Sequence, residues 1–415
     1  MIGRGIGNVV RTLGELVEAR LPFARLGDGV SIRPHSGAAI TGRVIAIRDR
    51  LVTLAPLGPL DGIAVGDRVE ADPLALAALL GTIALGRAFD PAQTPLDEGA
   101  PLAGRRRYVG VSTPSPAERR PIDSPLWTGI RVIDGLLTIG RGARVGIFGE
   151  PGAGKSTLLE MIVQGVAADA VVLALIGERG REAQTWLERI DRRTTLICAT
   201  ADRSAGERMR AAELAMLQAE QLRAQGLHVV LVVDSLARYV AALREQRISL
   251  GEPVGRGGYP AAVFAELARY LERAGNDASG SISVVATVLS DGADEREPLS
   301  DAARSLLDGH FALSHDLARA GYYPAIDVLA STSRTMGSVV DAVHREDAAL
   351  VREAMTILAR TADARRLGLA DASDARLRQA MEIEPLLSAF LRQREADDPA
   401  NSRRLLADLA SHFRR

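Results

Sequence analysis

The alternation of hydrophobic and turn-forming residues predicts a small β-barrel near the start of the chain. From residue 27 to residue 70, short apolar runs are separated by Gly, Pro or Asp, in the order DGVSIRP, AITGRVIAIRD, LVTLAPLG and IAVGDRVEA. Short strands between such turns are typical of a barrel. We predict an N-terminal barrel domain over residues 1–95, followed by a connector rich in Pro, Gly and Arg that ends near residue 125.

Beyond Leu126 the pattern changes to apolar strands that alternate with amphipathic segments. The strand candidates are ARVGIFG, VVLALIG, TTLICAT, HVVLVVD and SISVVATVLS. This alternation indicates a largely parallel sheet covered by helices on both faces. We therefore predict an α/β core over residues 96–340, with the connector as its first part.

The last region is predicted to be helical. After Asp341 the sequence is rich in Ala, Leu, Arg and Glu at helical spacing, and residues 401–415 are predicted to form a final helix. A separate C-terminal helical domain over residues 341–415 is the simplest interpretation.

Composition and charge exclude several classes of protein. The 415 residues, 47% of them hydrophobic, are too many for one compact core. A net charge of −1 lacks the excess that a protein held mainly by nucleic-acid phosphates needs. A single cysteine, Cys198, excludes a disulfide framework. The N-terminus lacks a signal-peptide pattern, so we expect a cytoplasmic protein that reaches a membrane only through partners.

Scattered histidines give no support for zinc chemistry. The six histidines lack metal-ligand spacing, and the sequence contains no HExxH motif and no paired cysteines. We interpret His310 as a packing or hydrogen-bonding residue.

The strongest chemical signal is a phosphate-loop motif, GEPGAGKS, between the strand ARVGIF and the helix TLLEMIVQGV. Its glycines let backbone N–H groups turn toward phosphate oxygens, and the following helix adds the positive end of its dipole. Lys155 is expected to reach the β and γ phosphates, and Ser156 to ligate Mg²⁺. The predicted ATP-binding residues of this loop are Gly149, Glu150, Pro151, Gly152, Ala153, Gly154, Lys155, Ser156 and Thr157.

Carboxylates follow two other strands of the predicted sheet. Asp234 ends the strand VVLVVD, where a carboxylate leaving a buried strand is expected to meet a cation such as Mg²⁺. Glu178 and Glu182 follow VVLALIG, and Glu178 is the candidate for orienting the attacking water. A surface salt-bridge cluster of Glu178 and Glu182 with Arg179 and Arg181 is the alternative interpretation.

Longer segments resemble the ATPases of type III secretion and flagellar export, relatives of the catalytic β subunit of rotary ATP synthases. Besides the phosphate loop, the resemblance is carried by RRPIDSPLWTGIRVIDGLLTIGRGARVGIF, LIGERGRE, ATADRSAGERMRAAE, VVDSLARY, GEPVGRGGYPAAVFAELARYLERAG, EPLSDAARSLLDGH and GYYPAIDVLASTSR. It implies a RecA-like P-loop core with a barrel before it and helices after it. The implied activity is Mg-dependent ATP hydrolysis that powers protein export, releases chaperones and unfolds substrates.

The resemblance also implies roles for single residues. Glu178 corresponds to the water-polarising carboxylate, and Glu182 and Arg238 to residues at and around the metal site with Asp234. Tyr323 corresponds to a tyrosine that packs on the adenine ring. Arg334 corresponds to an arginine offered to the nucleotide of the neighbouring subunit.

The implied partners are further copies of the chain in a homohexamer, a central stalk protein and a stator-type regulator. Chaperone–cargo complexes and the export gate are implied as well, at the inner face of the cytoplasmic membrane, and nucleic acid is not. IDGLLT with GKSTLL favours the injectisome over the flagellar branch.

The sequence departs from the family pattern in two places. Gly257 stands where an arginine usually precedes Gly-Tyr-Pro, with Arg256 one residue earlier, and LLGTIALGRAFDP is about two residues shorter than its usual counterpart. No role is therefore carried over to Arg256.

Three other functions fit parts of the pattern. A rotary ATP synthase catalytic subunit would share the motifs but would need an α-type partner. An RNA-translocating hexameric helicase would use a barrel rich in aromatic residues, whereas Phe23 is nearly the only aromatic residue before Phe89. A scaffold that binds ATP without hydrolysing it would not need Lys155, Ser156, Glu178 and Asp234 together.

Overall fold

The structure is a computed structural model that describes residues 5–35, 37–108, 113–289, 297–371 and 373–414. The strands within these ranges are β1 (Ile6–Leu13), β2 (Leu16–Arg20), β3 (Gly29–Arg33), β4 (Ile40–Arg48), β5 (Leu51–Pro56), β6 (Arg68–Ala71), β7 (Arg87–Phe89), β8 (Pro125–Leu126), β9 (Ile139–Gly140), β10 (Arg144–Gly149), β11 (Ala170–Glu178), β12 (Thr194–Thr200), β13 (His228–Asp234), β14 (Gly275–Asn276), β15 (Ser281–Leu289), β16 (Gly309–Leu313) and β17 (Ile326–Ser333).

The helices in the same ranges are α1 (Arg131–Leu136), α2 (Lys155–Gly165), α3 (Gly180–Leu187), α4 (Ala205–Ala224), α5 (Leu236–Ser249), α6 (Ala261–Leu271), α7 (Pro298–Leu306), α8 (His315–Arg319), α9 (Met336–Val339), α10 (Ala342–Arg366), α11 (Ala375–Leu391) and α12 (Pro399–Arg414). Of the helices described, none is both long and apolar enough to cross a bilayer.

The chain divides into two compact units. The first unit contains Met1–Ser115 and Ala170–Arg273, and the second contains Pro116–Asp169 and Ala274–Arg415.

The first unit begins with the predicted barrel, which is closed in the order β1-β2-β5-β4-β3-β6. Alternate residues point inward, so that Val17, Val30 and Leu54 are fully buried. The sequence predicted β3 to β6 but missed β1 and β2. In β1, burial alternates only over the first half of the strand, so its hydrophobic pattern is weak.

The same unit carries the parallel strands β13-β11-β12-β7 in that order. β11 and β13 are buried over nearly their whole length and therefore have continuous apolar sequences. Helix α4 packs against β11, β12 and β13. β7 lies within the range 1–95 that the sequence assigned to the barrel domain, yet it hydrogen-bonds to β12.

In the second unit, four strands are ordered β17-β16-β10-β15. β10 lies between β16 and β15 and is parallel to both, whereas β17 is antiparallel to β16. The C-terminal helices α10, α11 and α12 pack on one another and on α1. Asp341, where the sequence placed the start of this helical region, caps α10 by accepting a hydrogen bond from His344 N. The barrel, the largely parallel strands and the C-terminal helices confirm the predicted fold class.

Candidate active site

The phosphate loop joins β10 to α2 in the second unit. β10 is almost entirely buried, and it brings Gly149 to the carboxyl edge of the parallel strands. Gly152 and Gly154 have φ values of 84° and 92°, a left-handed conformation that favours glycine. Helix α2 begins directly at Lys155. Sequence therefore determines the loop locally, through an apolar strand, glycines at the left-handed positions and a helix start.

Lys155 lies over this loop. Its Nζ donates hydrogen bonds to Gly149 O at 2.7 Å and to Glu150 O at 2.5 Å. Ser156 and Thr157 follow in the first turn of α2, and both are exposed. The ammonium and the first hydroxyls of the helix thus lie where a nucleotide's phosphates meet a loop of this type.

Tyr323 lies beside the phosphate loop. A Cβ placed on Gly154 would be 3.4 Å from the Tyr323 ring, an ordinary contact distance, so glycine is favoured there by the left-handed backbone alone. The Tyr323 residue is 39% exposed. Its backbone carbonyl accepts a hydrogen bond from Gln393 N at 2.7 Å. A partly exposed aromatic face next to the loop suits stacking on a base.

Arg334 lies at the other end of the strands. Because β17 is antiparallel to β16, its last residues pair with the beginning of β16. Arg334 N donates to Asp308 O, and Asp308 N donates to Arg144 O at the start of β10. The phosphate loop follows Gly149, at the opposite end of β10 from Arg144. At roughly 3.3 Å per residue, about 16 Å separates the backbone of Arg334 from the start of the loop. Arg334 therefore cannot reach the phosphate loop of its own chain.

The acidic candidates meet in the first unit. Glu178 ends β11 and Asp234 ends the neighbouring parallel strand β13, so both leave the same edge. Glu182 follows in the first turn of α3. Arg238 Nε donates to Glu178 Oε1 at 3.3 Å. The structure thus brings Glu178, Glu182, Asp234 and Arg238 together.

Burial gives Glu178 an unusual protonation equilibrium. It raises the pKa of Glu178 to about 8, helped by a hydrogen bond with Glu182 and by the negative charge of Asp234, while Arg238 opposes the shift. A carboxyl group whose pKa lies near neutrality is typical of a group that exchanges protons during a reaction. Glu178 itself is half-buried and pairs with Arg238, whereas the alternative interpretation from the sequence placed it in a surface cluster with Arg179 and Arg181.

Metal binding at these residues would depend on the nucleotide. Over the described ranges, no three Asp, Glu, His or Cys side chains form a group that could hold a metal ion. Mg²⁺ in proteins usually takes one or two protein oxygens, together with phosphates and water. The hydroxyl of Ser156 and the carboxylates of Asp234 and Glu182 are oxygen ligands of that kind.

Gly177 is a residue of this candidate site that the sequence reasoning missed. Its φ is 68°, and a Cβ there would lie 2.7 Å from Arg238 Cδ. Glycine thus lets Arg238 lie against the strand and reach Glu178. The signal was the glycine directly before Glu178 in LIGERG.

A second missed signal is the lysine count. The sequence contains 51 lysines and arginines in total, and Lys155 is the only lysine among them. Because a compact ammonium and a planar guanidinium are not interchangeable in a tight phosphate loop, this count alone singles out Lys155.

Comparison with known proteins assigns the chain to a family. The family model for the ATP synthase alpha/beta family, nucleotide-binding domain, matches residues 129–333. A flagellum-specific ATP synthase of Pseudomonas aeruginosa is 40% identical over 417 residues, which cover 97% of this chain and 92% of the relative. The chain belongs to the ATP synthase α/β family. A type 3 secretion system ATPase of Sinorhizobium fredii is 42% identical over 364 residues, covering 86% of this chain and 80% of the relative.

Solved structures agree with this assignment. The assembled ATPase EscN from the type III secretion system of enteropathogenic E. coli superposes with a TM-score of 0.90 at 36% identity, over 97% of this chain and all of EscN. EscN in complex with its central stalk EscO gives a TM-score of 0.88 over the same share of this chain. These findings confirm the resemblance to export ATPases, the RecA-like fold class and the prediction that the chain is an ATPase.

Proposed function

We propose that the chain hydrolyses Mg-ATP and that the energy drives protein export through a type III secretion or flagellar apparatus, with release of chaperones and unfolding of substrates. The observation that carries this proposal is the phosphate loop, with Lys155 over it and Tyr323 beside it. The loop occurs in a chain similar to secretion and flagellar ATPases over most of its length.

A few residues are proposed to bind the nucleotide and the metal ion. In this proposal residues 149–157, which include Lys155, hold the phosphates of ATP, and Tyr323 stacks on the adenine. Ser156, Asp234 and Glu182 would hold Mg²⁺, which supplies charge neutralisation at the phosphates.

Glu178 is proposed to orient the attacking water and to accept its proton. Its position at the end of β11, within hydrogen-bond distance of Arg238, supports this role. Arg238, at 3.3 Å, fixes the direction of the carboxylate.

A ring of identical chains would complete each site. Arg334 lies at the edge opposite its own phosphate loop, which supports a role on a neighbouring protomer's nucleotide, where it would stabilise charge in the transition state. We therefore propose a homohexamer, as well as a central stalk protein, a stator-type regulator, chaperone–cargo complexes and the export gate as partners. The working location would be the cytoplasm at the inner face of the membrane. Residues 1–95, 96–340 and 341–415 are proposed as its domains.

Phosphate release from Mg-ATP by the purified chain, measured across protein concentrations, tests the proposal. We expect specific activity to rise with concentration, because sites form between protomers. Glu178→Gln should abolish turnover, whereas Glu188→Gln, the same change at the exposed end of α3, should not. Turnover by Glu178→Gln equal to that of the unaltered chain would remove the carboxylate from the mechanism.

A further inference from the structure

A cavity of about 480 Å³ lies within the first unit, between the barrel and helices α4, α5 and α6. This volume is in the range of sites that bind small organic molecules. Its apolar wall includes Val44 and Leu57 on the barrel side and Met209 on α4. None of the residues assigned above to nucleotide or metal binding lines it.

Arginines outnumber carboxylates in the cavity wall. Arg43 and Arg210 share one carboxylate, that of Glu213, at 2.9 and 3.4 Å. Arg210 Nη2 also donates to Leu76 O at 2.8 Å. Two guanidinium groups on one carboxylate leave a positive charge that is only partly balanced.

Arg269 adds a further charge. Its Nε donates to Ala265 O at 3.3 Å, and among the described residues no carboxylate pairs with its guanidinium. The side chain is exposed on α6, at the cavity wall. It is therefore available to an anion that enters.

Two neutral polar side chains in the cavity wall also favour a ligand, and this observation does not depend on the arginines. Tyr239 is 8% exposed and Gln246 is 6% exposed, and both line the cavity. In the part of the chain that the structure describes, neither the Tyr239 hydroxyl nor the Gln246 amide has a hydrogen-bond partner, and neither is sealed off from solvent. Both groups are therefore free to form hydrogen bonds with an occupant of the cavity.

We propose that this cavity binds a small organic anion, in which a carboxylate, sulfonate or phosphate is attached to an apolar body. Guanidinium groups match the oxygen geometry of such anions. The hydroxyl and amide supply additional hydrogen bonds, and the apolar wall covers the body of the ligand. Because α5 carries Tyr239 next to Arg238, an occupant contacts the helix that holds Arg238 on Glu178.

Fluorescence titration of the intact chain with anilinonaphthalene sulfonate tests this proposal, with phenylnaphthylamine as the same aromatic body without the anion. We expect one sulfonate probe per chain, and it should remain bound when Mg-ADP is saturating. Tyr239→Phe keeps the ring that packs on Tyr270, and Arg269→Gln changes an exposed residue, so both variants should fold. Each should weaken sulfonate binding by about tenfold. Arg378→Gln, the same change on the exposed face of α11, should leave it unchanged.

Phenylnaphthylamine supplies the remaining control. Its affinity should be the same for Arg269→Gln as for the unaltered chain, because it has no charge for Arg269 to bind. Displacement of the sulfonate probe by Mg-ADP, or equal sulfonate affinity in the cavity variants and Arg378→Gln, would overturn the proposal.

Discussion

At the scale of single residues, the phosphate loop keeps the one lysine of a chain that otherwise uses arginine. The Lys155 ammonium fits between the carbonyls of Gly149 and Glu150, and it concentrates its charge on one atom. An arginine at position 155 would place a larger, planar guanidinium there, and the loop would have to move to make room for it.

Because Lys155 is the only lysine, acylation of side-chain amines is a specific probe of the active site. Acetylation by a succinimidyl ester should abolish ATP hydrolysis in proportion to modification at Lys155, followed by peptide mass spectrometry. Saturating Mg-ADP should protect the residue, because phosphates would cover the amine. In Lys155→Arg no side chain should be acetylated. Full activity of a chain acetylated at Lys155 would contradict the role assigned to it.

Asp134 is a buried carboxylate with a structural role. It accepts hydrogen bonds from Thr128 N at 2.8 Å, Thr128 Oγ1 at 2.7 Å and Gly129 N at 2.9 Å. Burial nevertheless raises its pKa to about 6. The Asp134 carboxyl group therefore binds a proton more tightly in the native state than in the unfolded chain. The resulting contribution to the free energy of unfolding is present at low pH and is lost as pH rises from about 4 to about 6.

Asp134→Asn should remove that pH dependence. Relative to the variant, the unaltered chain should lose about 3 kcal/mol in its free energy of unfolding between pH 4 and pH 6, since one pKa unit corresponds to about 1.4 kcal/mol. Chemical denaturation at a series of pH values measures this slope. Asp61→Asn, at an exposed position, should retain the slope of the unaltered chain. Parallel curves for Asp134→Asn and the unaltered chain would show that Asp134 titrates normally.

At the scale of elements, α4 shows how local sequence sets a helix boundary. Ser204 Oγ accepts a hydrogen bond from Glu207 N at 3.2 Å, and Glu207 Oε2 accepts one from Ser204 N at 3.0 Å. This reciprocal capping box satisfies two backbone donors that the first turn would otherwise leave free.

Ser204→Ala should lower the free energy of unfolding by about 1 kcal/mol, the usual effect of losing such a cap. Ser305→Ala is the matched control, because Ser305 is exposed near the end of α7 and its hydroxyl donates only to Ala302 O. Denaturant titration of both variants measures the difference. An equal effect of the two substitutions would mean that the cap does not stabilise α4.

Elements whose hydrophobic residues follow one regular pattern were predictable from the sequence, and elements without such a pattern were not. Buried strands such as β11 and β13 have long apolar sequences that only a sheet interior accommodates. β1 was missed because half of its residues do not alternate in burial. β7 was not predicted as a strand, because its three residues are too few to show a hydrophobic pattern or to specify which strand they pair with.

At the scale of the whole molecule, the position of Arg334 has a testable consequence. If it serves the neighbouring protomer, a chain that lacks Lys155 can still lend its arginine, and a chain that lacks Arg334 can still bind ATP. Equal amounts of Lys155→Ala and Arg334→Ala, mixed and reassembled, should recover roughly a quarter of the unaltered activity, the random share of complete interfaces in a closed ring.

Mixing Lys155→Ala with Glu178→Gln is the control. Both defects are assigned to the same chain's site, so this mixture should recover no activity. If the mixture of Lys155→Ala with Arg334→Ala hydrolyses no more ATP than its components do separately, Arg334 does not act between protomers.

The sequence by itself determined the phosphate loop, its glycines, the strands and helices around it and the carboxylates at strand ends, because these depend on backbone conformation and periodicity within a few residues. Only the tertiary structure decided which side chains face one another. The antiparallel direction of β17 sends Arg334 away from the loop. Burial beside Glu182 and Asp234 raises the pKa of Glu178. The cavity joins the barrel to helices about 200 residues later in the chain. Pairing direction, burial and enclosed volume depend on residues far apart in sequence, so no local pattern records them.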